Sequence, residues 1–300
     1  MVRVKVPATT ANFGSGFDCL GAALGLYNYI EMDFAKTDEI EVMGEGEKTV
    51  EKNKTNLVYK AASRVFDEVG ISKPIKISLE NNIPIARGLG SSAACIAGGL
   101  VAANQILGEP LPFSRIVELA TQMEGHPDNV VPALFGGFTI SMVYEGKVIY
   151  KRFSIPNWLR FVVGIPQFSI RTIDARRVIP EKIDFSDAIF NLSRCAMLVA
   201  SFAKNELSNL DVFCQDKLHQ PYRNKLVPGM EKIIKTSKQQ GAMACFLSGA
   251  GPSVLTITSE ENAKKLGIQM VDIFKKEGIK AQYKILSPCD SGVEYIQKSF

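Results

Sequence analysis

The stretch Ile83-Pro-Ile-Ala-Arg-Gly-Leu-Gly-Ser-Ser-Ala-Ala94 decides how this chain of 300 residues is interpreted. It follows an alternating segment, residues 75–79, that predicts a strand, and it leads into an alanine-rich segment, residues 91–107, that predicts a helix. A glycine turn at the start of a helix offers free backbone N–H groups, and the helix dipole favours an anion there. The stretch therefore predicts a phosphate site. An ordinary tight turn with a serine cap remains the open alternative.

The residues of this turn suit a nucleotide. Gly88 and Gly90 carry no Cβ atom that would keep a phosphate away from the backbone. Ser91 and Ser92 can cap the predicted helix, and either hydroxyl can also ligate Mg²⁺ carried by a nucleotide. The turn lacks the lysine of a P-loop, the GxGxxG dinucleotide fingerprint and the GxSxG elbow of a serine nucleophile. The pattern thus indicates a phosphate loop of another kind.

The remaining chain mixes helical and strand patterns. Apolar spacing and small-residue composition predict helices over residues 56–69, 91–107, 114–123, 187–204, 230–240 and 260–276, with Ser114 as the N-cap of the third. Alternating or buried apolar runs predict strands over residues 2–6, 29–34, 75–79, 135–144, 148–155, 160–165, 242–247, 253–258 and 280–286. This mixture favours an α+β fold over a regular βα alternation, and Pro156-Asn157 suggests a domain boundary.

Composition and charge exclude several classes of protein. Lys plus Arg number 35 and Asp plus Glu 31, so the net charge is +4, which together with 46% hydrophobic residues excludes a disordered polyelectrolyte. No Lys/Arg block indicates nucleic acid or a membrane surface as a partner. Two uncharged runs, residues 88–108 and 241–259, contain too many glycines and polar residues to span a bilayer. Six scattered cysteines without a CxxC pair predict free thiols in a reducing cytoplasm.

Four segments together carry a family resemblance. The segment Pro84-x-x-x-Gly-Leu-Gly-Ser-Ser-Ala93 resembles the ATP-binding motif of the GHMP kinases. Residues 7–18, Pro-Ala-Thr-Thr-Ala-Asn-Phe-Gly-Ser-Gly-Phe-Asp, resemble the first motif of that superfamily, and residues 247–253, Leu-Ser-Gly-Ala-Gly-Pro-Ser, resemble the third. With residues 125–138, Gly-His-Pro-Asp-Asn-Val-Val-Pro-Ala-Leu-Phe-Gly-Gly-Phe, the pattern is most similar to the homoserine kinase family. The resemblance covers essentially the whole chain.

The resemblance implies both a fold and an activity. The fold is a two-domain α+β GHMP kinase fold, with an N-terminal ATP-binding domain over residues 1–156 that contains a left-handed βαβ crossover, and a C-terminal ferredoxin-like domain over residues 157–300. The activity is phosphorylation of the L-homoserine hydroxyl by ATP with Mg²⁺, giving O-phospho-L-homoserine in threonine biosynthesis. The resemblance also implies a cytoplasmic homodimer. Two alternatives stay open, a sister GHMP kinase with another small substrate and a non-catalytic nucleotide or ligand sensor.

The substrate residues are implied in the same way. Homoserine is a zwitterion with a distal hydroxyl, so its site needs a carboxylate for the ammonium group and arginines for the carboxylate. By resemblance, Asn12 and Asp18 hold the amino group, while Arg176 and Arg223 clamp the carboxylate. Arg177 is the adjacent alternative to Arg176. From the residues alone, Asp18 can also be a turn or capping aspartate.

The residues implied at the reacting end are Ser92, Glu124, His126 and Asn129. By resemblance, Glu124 and Ser92 ligate the Mg²⁺ of ATP, and His126 and Asn129 face the substrate hydroxyl. An asparagine orients a hydroxyl but takes no proton at neutral pH, so we expect Asn129 to orient the substrate. Asp128 is the weaker candidate for a general base, and a loose transition state tolerates the lack of one.

The ATP contacts implied by the resemblance come from the glycine turn, the third motif and the loop before the first predicted helix. The loop around residues 54–58 is expected to flank the adenine. The complete set is Pro84, Ile85, Ala86, Arg87, Gly88, Leu89, Gly90, Ser91, Ser92, Ala93, Ala94, Asn56, Gly249 and Gly251.

Overall fold

Two β-sheets organise the chain in the computed structural model, which describes residues 1–296. In the first sheet the strand order is β11-β1-β2-β4-β3, with β5 on β2 and β6 on β5, and in the second it is β10-β7-β9-β8. The strands are β1 Val2–Asn12, β2 Gly16–Phe34, β3 Glu39–Gly44, β4 Ile75–Asn81, β5 Phe138–Tyr144, β6 Lys147–Phe153, β7 Leu159–Pro166, β8 Ala244–Leu247, β9 Val254–Ser259, β10 Ala281–Leu286 and β11 Glu294–Tyr295.

Helices cover or connect these sheets. They are α1 Leu57–Glu68, α2 Ser91–Ile106, α3 Phe113–Glu124, α4 Pro127–Phe135, α5 Thr172–Arg177, α6 Phe185–Lys204, α7 Leu210–Phe213, α8 Gln220–Arg223, α9 Met230–Gln239 and α10 Glu260–Lys276, with a 3-10 turn at Asn224–Leu226. Within residues 1–296, none of these helices has the length and apolar content needed to cross a membrane.

The strands β1 and β2 form a long antiparallel pair that carries the first motif. Val2 pairs with Met32, and the register slips twice on the way to the turn, at Pro7/Ala8 and at Ala11/Asn12. The predicted strands at residues 2–6 and 29–34 are confirmed as parts of this longer pair. The second slip and the tight turn after Asn12 present the polar residues of the motif at one end of the sheet.

The strands β3 and β4 are parallel and are connected through α1, so they form a βαβ unit. The strand β3 was not predicted, although Ile40 and Val42 alternate there with glutamates and are buried. Asn56 caps α1 by accepting a hydrogen bond from the Val58 N–H group at 2.9 Å. The βαβ unit lies where the resemblance implies one, and the handedness of its crossover stays a prediction.

The second sheet has a ferredoxin-like strand order. Each neighbouring pair is antiparallel, with β7 and β9 in the centre, and α9 and α10 pack against it. The chain then returns to the first sheet, where β11 pairs with β1. The strand β11, which lies in the expected C-terminal domain, is therefore part of the N-terminal sheet, and the domain boundary at residue 156 stays a prediction.

The helix α2 occupies the core of the first domain, because its small residues let neighbouring elements approach closely. Almost every residue from Ala93 to Asn104 is buried.

One local expectation was wrong, and one helix was missed. The helix α3 begins at Phe113 after Pro112, without a side-chain cap from Ser114. The helix α4 was not predicted, although Pro127 stands in its first turn, where a proline is well tolerated.

Candidate active site

Three glycine-rich segments that are far apart in sequence meet at one cavity. Thr10 Oγ1 lies 2.8 Å from Ser248 Oγ, and the Ser248 hydroxyl donates to the carbonyl of Gly88 at 2.6 Å. The N–H group of Gly249 also donates to the carbonyl of Ala11 at 3.3 Å. These bonds join residues 7–18, 83–94 and 247–253, so the three predicted motifs build one site between the two sheets.

Gly88 and Gly90 are required by the close contacts of their loop with the other two motifs. Both have positive φ angles, +73° and +65°. A Cβ atom on Gly88 would collide with the backbone of Ser248, and one on Gly90 would collide with the side chain of Thr9. The space left by these glycines is therefore filled by protein atoms, which gives a reason for glycine that holds with or without a phosphate.

The N-terminus of α2 opens into the cavity without a side-chain cap. Gly90 is the N-cap residue, and Ser91 and Ser92 lie inside the first helical turn, so the expectation that a serine caps this helix was wrong. Both serines line the cavity. The free N–H groups of this turn and the dipole of a helix of 16 residues favour an anion here.

Glu124 lies beside this helix N-terminus, at the last residue of α3. The Ser92 hydroxyl donates to Glu124 Oε2 at 2.7 Å. Burial raises the pKa of Glu124, and the bond from Ser92 only partly offsets this effect. A half-buried carboxylate next to a hydroxyl fits a cation that completes its coordination with phosphate oxygens, as Mg²⁺ commonly does.

Four side chains form a hydrogen-bonded row next to Glu124. His126 Nδ1 bonds to Asp128 Oδ1, and Asn129 Nδ2 donates to the same oxygen at 3.3 Å. Thr9 donates to Asn129 Oδ1 at 2.8 Å, which fixes the orientation of the amide. Burial opposes a charge on the His126 ring, but the hydrogen bond and negative charge of Asp128 outweigh it and raise the pKa of His126. Asp128 is buried and is already an acceptor for two neighbours.

The other end of the cavity is built from charged side chains. Arg176 forms a bidentate ion pair with Asp18, at 2.8 and 2.7 Å. Asn12 accepts a bond from the Asp18 N–H group at 3.0 Å and donates to the Gly249 carbonyl at 3.1 Å. Burial, and after it the charge of Arg176, lower the pKa of Arg223 to about 10. The structure brings all four predicted substrate residues together.

The backbone around this end is strained. Asn12 and Asp18 have positive φ angles of 74° and 59°, and Ala86, which lines the same cavity, has 53°. Such conformations cost energy in residues other than glycine and concentrate at functional sites. Their position at the cavity is therefore consistent with a binding role.

Arg177 points away from the cavity. Its side chain is 70% exposed and lies 3.6 Å from Asp174. Arg176, one residue earlier on the short helix α5, lines the cavity instead. Of the two arginines that the sequence left open, Arg176 is the one that lines the cavity.

Five residues expected to contact ATP do not line this cavity. Pro84 and Ile85 border an adjoining recess together with Arg87. Ala93 and Ala94 are buried inside α2. Asn56 is buried at the start of α1, where its side chain caps the helix and donates to the Glu51 carbonyl at 2.7 Å. The other expected ATP residues, from Ala86 to Ser92 and at Gly249 and Gly251, do line it.

The structure adds residues that the sequence analysis missed. Phe17 lies below both substrate arginines, with its ring centre 5.5 Å from the guanidinium carbon of Arg176 and 5.3 Å from that of Arg223. Thr172 and Ile170 line the cavity next to α5. Phe17 stands inside the first motif, so its position was a usable signal, whereas no sequence pattern marked Thr172 or Ile170.

Comparisons with known proteins agree with this geometry. Residues 56–137 match the model of the GHMP kinases N-terminal domain, and residues 198–274 match that of the GHMP kinases C-terminal domain. The chain is 44% identical to a homoserine kinase from Moorella thermoacetica, over 99% of this chain and 100% of that protein. It is 40% identical to one from Aquifex aeolicus, over 98% and 99% of the two chains.

A solved structure extends the similarity to three dimensions. The crystal structure of a homoserine kinase from Cytophaga hutchinsonii superposes with a TM-score of 0.88 at 30% identity, covering 98% of this chain and 97% of the other. The two-domain fold expected from the motifs is thereby confirmed. On this combined similarity in sequence and structure, the chain belongs to the homoserine kinase family of the GHMP kinases.

Proposed function

We propose that this protein transfers the γ-phosphoryl group of ATP to the side-chain hydroxyl of L-homoserine, giving ADP and O-phospho-L-homoserine in threonine biosynthesis. The proposal rests mainly on one observation: the two ends of a single cavity carry different functional groups. Asp18, Arg176 and Arg223 stand at one end, as the recognition of an amino acid requires. The uncapped N-terminus of α2, with Ser92 and Glu124, stands at the other, as a nucleotide phosphate requires.

A bound zwitterion would replace the ion pair between Asp18 and Arg176. An incoming ammonium group meets the Asp18 carboxylate, and an incoming carboxylate meets the guanidinium groups of Arg176 and Arg223. Each protein charge then keeps an opposite charge as its partner, so the exchange avoids leaving a charge unpaired. Asn12, which already accepts a bond from the Asp18 backbone, holds this segment in place.

The phosphate end is built to place the nucleotide. Ser92 and Glu124 would hold Mg²⁺ with ATP, and the ion would neutralise phosphate charge there. The glycine turn and the first turn of α2 present N–H groups to the phosphates, while Gly249 and Gly251 border them from the third motif. Charge neutralisation and positioning are the main catalytic requirements of phosphoryl transfer.

The substrate hydroxyl is oriented by Asn129 and His126. Thr9 holds the Asn129 amide with its Nδ2 toward Asp128, and Asp128 accepts the hydrogen of His126 Nδ1. Because Asp128 is buried and engaged by both neighbours, we assign it to holding this row in place, with no role as a base. A loose transition state needs little proton removal before the bond to ADP breaks.

Oligomeric state and location belong to the same proposal. We assign the protein to the cytoplasm, since all six cysteines are free thiols, which suits a reducing compartment. We also expect a homodimer, the usual state that the family resemblance implies. Sedimentation of the purified protein tests the dimer.

A coupled assay of ADP release tests the proposed reaction. The acceptors are L-homoserine, L-serine, L-threonine, mevalonate and galactose, each with and without Mg²⁺. We expect the largest Mg²⁺-dependent rate with L-homoserine. A rate with L-homoserine no higher than with the others would refute the proposal, and binding of ATP without any turnover would favour a non-catalytic sensor.

A further inference from the structure

Arg223 is held from three sides inside the protein. Its Nε donates to the Ala175 carbonyl at 3.0 Å, and its Nη1 donates to the Gly249 carbonyl at 3.0 Å. Nη1 also lies 3.2 Å from His219 Nδ1. Within the part of the chain that the structure describes, these bonds occupy Nε and Nη1. The Nη2 hydrogens are therefore the donors left for a ligand in the cavity that Arg223 lines.

The surroundings of His219 determine which ring nitrogen carries the hydrogen. His219 Nε2 lies 2.9 Å from the Gly14 carbonyl oxygen and 3.5 Å from Asp216 Oδ2, and both of these atoms are acceptors. The hydrogen is therefore on Nε2, and Nδ1 is the acceptor for the Arg223 hydrogen. An imidazolium would place an N–H group against the Arg223 donor. In agreement with this, burial lowers the pKa of His219 to about 4.

Asp216 fixes the backbone from which both residues project. Its carboxylate accepts bonds from the backbone N–H groups of Leu218, His219 and Gln220 at 2.9, 2.9 and 2.6 Å, and a further bond of 2.7 Å from Asn191. His219 is the N-cap residue of α8 and Arg223 is its last residue, four positions later, and their side chains meet on the same side of this turn. The ring of Phe17 stacks on His219 at 5.0 Å and closes the other side.

His219 thus connects the two groups of residues that bind the two ends of the substrate. Gly14 belongs to the turn between Asn12 and Asp18, which are placed at the substrate amino group, and Arg223 is placed at the carboxylate. We propose that His219 is a positioning residue which, as a neutral imidazole with its hydrogen on Nε2, ties the Gly14 carbonyl to Arg223 and so aims the guanidinium at the substrate carboxylate. The inference rests on the proposed function, because that function makes Arg223 the carboxylate clamp.

Two substitutions separate the two bonds of His219. In His219→Asn the Oδ1 atom takes the place of Nδ1 and keeps an acceptor for Arg223, while the donor to Gly14 is lost. In His219→Gln the Nε2 atom keeps the donor to Gly14, while the acceptor for Arg223 is lost. We expect the KM for L-homoserine to rise about tenfold in the Gln variant and less than about threefold in the Asn variant, as fits the loss of one bond to a charged group. The KM for ATP is expected to stay within about twofold in both.

A double-mutant cycle shows whether His219 acts through Arg223. In an Arg223→Ala background, His219→Gln is expected to change the KM for L-homoserine by less than about twofold. An undiminished effect of His219→Gln in that background, or equal effects of Asn and Gln together with a matching rise in the KM for ATP, would overturn the inference. If wild-type protein does not phosphorylate L-homoserine, or Arg223→Ala leaves its KM unchanged, the proposed function fails instead, and with it the substrate part of the inference.

The tautomer itself is measurable in the unmodified protein. The chain has only 2 histidines, so long-range ¹H–¹⁵N correlation spectra at pH 7 resolve both rings, with His126→Asn for assignment. We expect the His219 ring to be neutral with its hydrogen on Nε2. A hydrogen on Nδ1, or a doubly protonated ring, would overturn the inference even if the substituted proteins did not fold.

Discussion

The two ends of the cavity use different kinds of chemical group. At the phosphate end the main groups are backbone N–H donors of a glycine turn and of the first turn of α2, supported by Ser92 and Glu124. At the amino acid end they are charged side chains, Asp18 together with Arg176 and Arg223, which follow it about 160 and about 200 residues later in the chain. The first kind of site depends on backbone shape, and the second depends on tertiary folding that brings opposite charges together.

Because of this difference, we expect substitutions at the two ends to change different kinetic constants. A change at the phosphate end alters turnover or the packing of the loop, because the groups there act on every nucleotide-dependent step. A change at the amino acid end alters the apparent affinity for the acceptor and leaves ATP binding almost unchanged. The four changes that follow test this separation.

Glu124→Ala is expected to give the largest loss, because it removes the carboxylate that would hold Mg²⁺ beside Ser92. We expect kcat to fall about a thousandfold, roughly 4 kcal/mol of barrier, with little change in the KM for L-homoserine. Steady-state ADP release over a Mg²⁺ titration measures this. Glu118→Ala, on the same helix but paired with Arg115, is the control and should retain activity. A fall of less than tenfold in Glu124→Ala would remove Glu124 from the phosphate end.

Arg176→Ala tests the amino acid end. We expect the KM for L-homoserine to rise about a hundredfold, since a charge-assisted bidentate contact is lost, and the KM for ATP to change little. Arg177→Ala is the matched control, because Arg177 is exposed and paired with Asp174, and it should change neither constant by more than about twofold. A larger effect from Arg177 than from Arg176 would contradict the assignment.

Gly88→Ala tests how far the phosphate end depends on backbone shape. Gly88 has a positive φ, and a Cβ atom there would strike the Ser248 backbone, so we expect a loss of about 2 to 4 kcal/mol in the free energy of unfolding. Gly108 also has a positive φ, but among residues 1–296 no atom lies within 4 Å of an added Cβ, so Gly108→Ala should cost only about 1 kcal/mol. Urea denaturation measures both. Equal losses in the free energy of unfolding for the two variants would show that the close contact with Ser248 does not contribute to the effect.

Asp128→Asn is expected to give the smallest effect on turnover. An asparagine can still accept a bond from His126, so the row of side chains keeps most of its order. We expect kcat to fall about tenfold or less, roughly 1.4 kcal/mol of barrier. A fall of about a thousandfold in the same assay would instead identify Asp128 as the base that takes the hydroxyl proton.

The same contrast explains which part of the site could be predicted from the sequence. The glycine turn, α2 and the third motif are contiguous stretches, and turn chemistry with helix periodicity was sufficient to locate them. The role proposed for Ser92 came from the family resemblance of this motif. The capping role expected for Ser91 and Ser92 was wrong because Gly90, in a left-handed conformation, takes the N-cap position.

The amino acid end was beyond local reasoning. Nothing in the sequence around residue 176 shows that its side chain meets Asp18, and only the family resemblance singled it out. His219 was missed entirely, because its importance comes from Gly14 and Arg223, one of them about 200 residues away. Long-range pairing of this kind is a property of the folded chain, whereas helix and strand boundaries are largely local.

Kinetic analysis of Arg223→Ala tests most directly the claim that the two ends act separately. The variant keeps the glycine turn, Ser92 and Glu124 and removes one buried guanidinium from the other end. With melting temperature as a check on folding, we predict that the KM for L-homoserine rises at least about thirtyfold while the KM for ATP stays within about twofold. A larger rise in the KM for ATP than in that for L-homoserine would contradict the account.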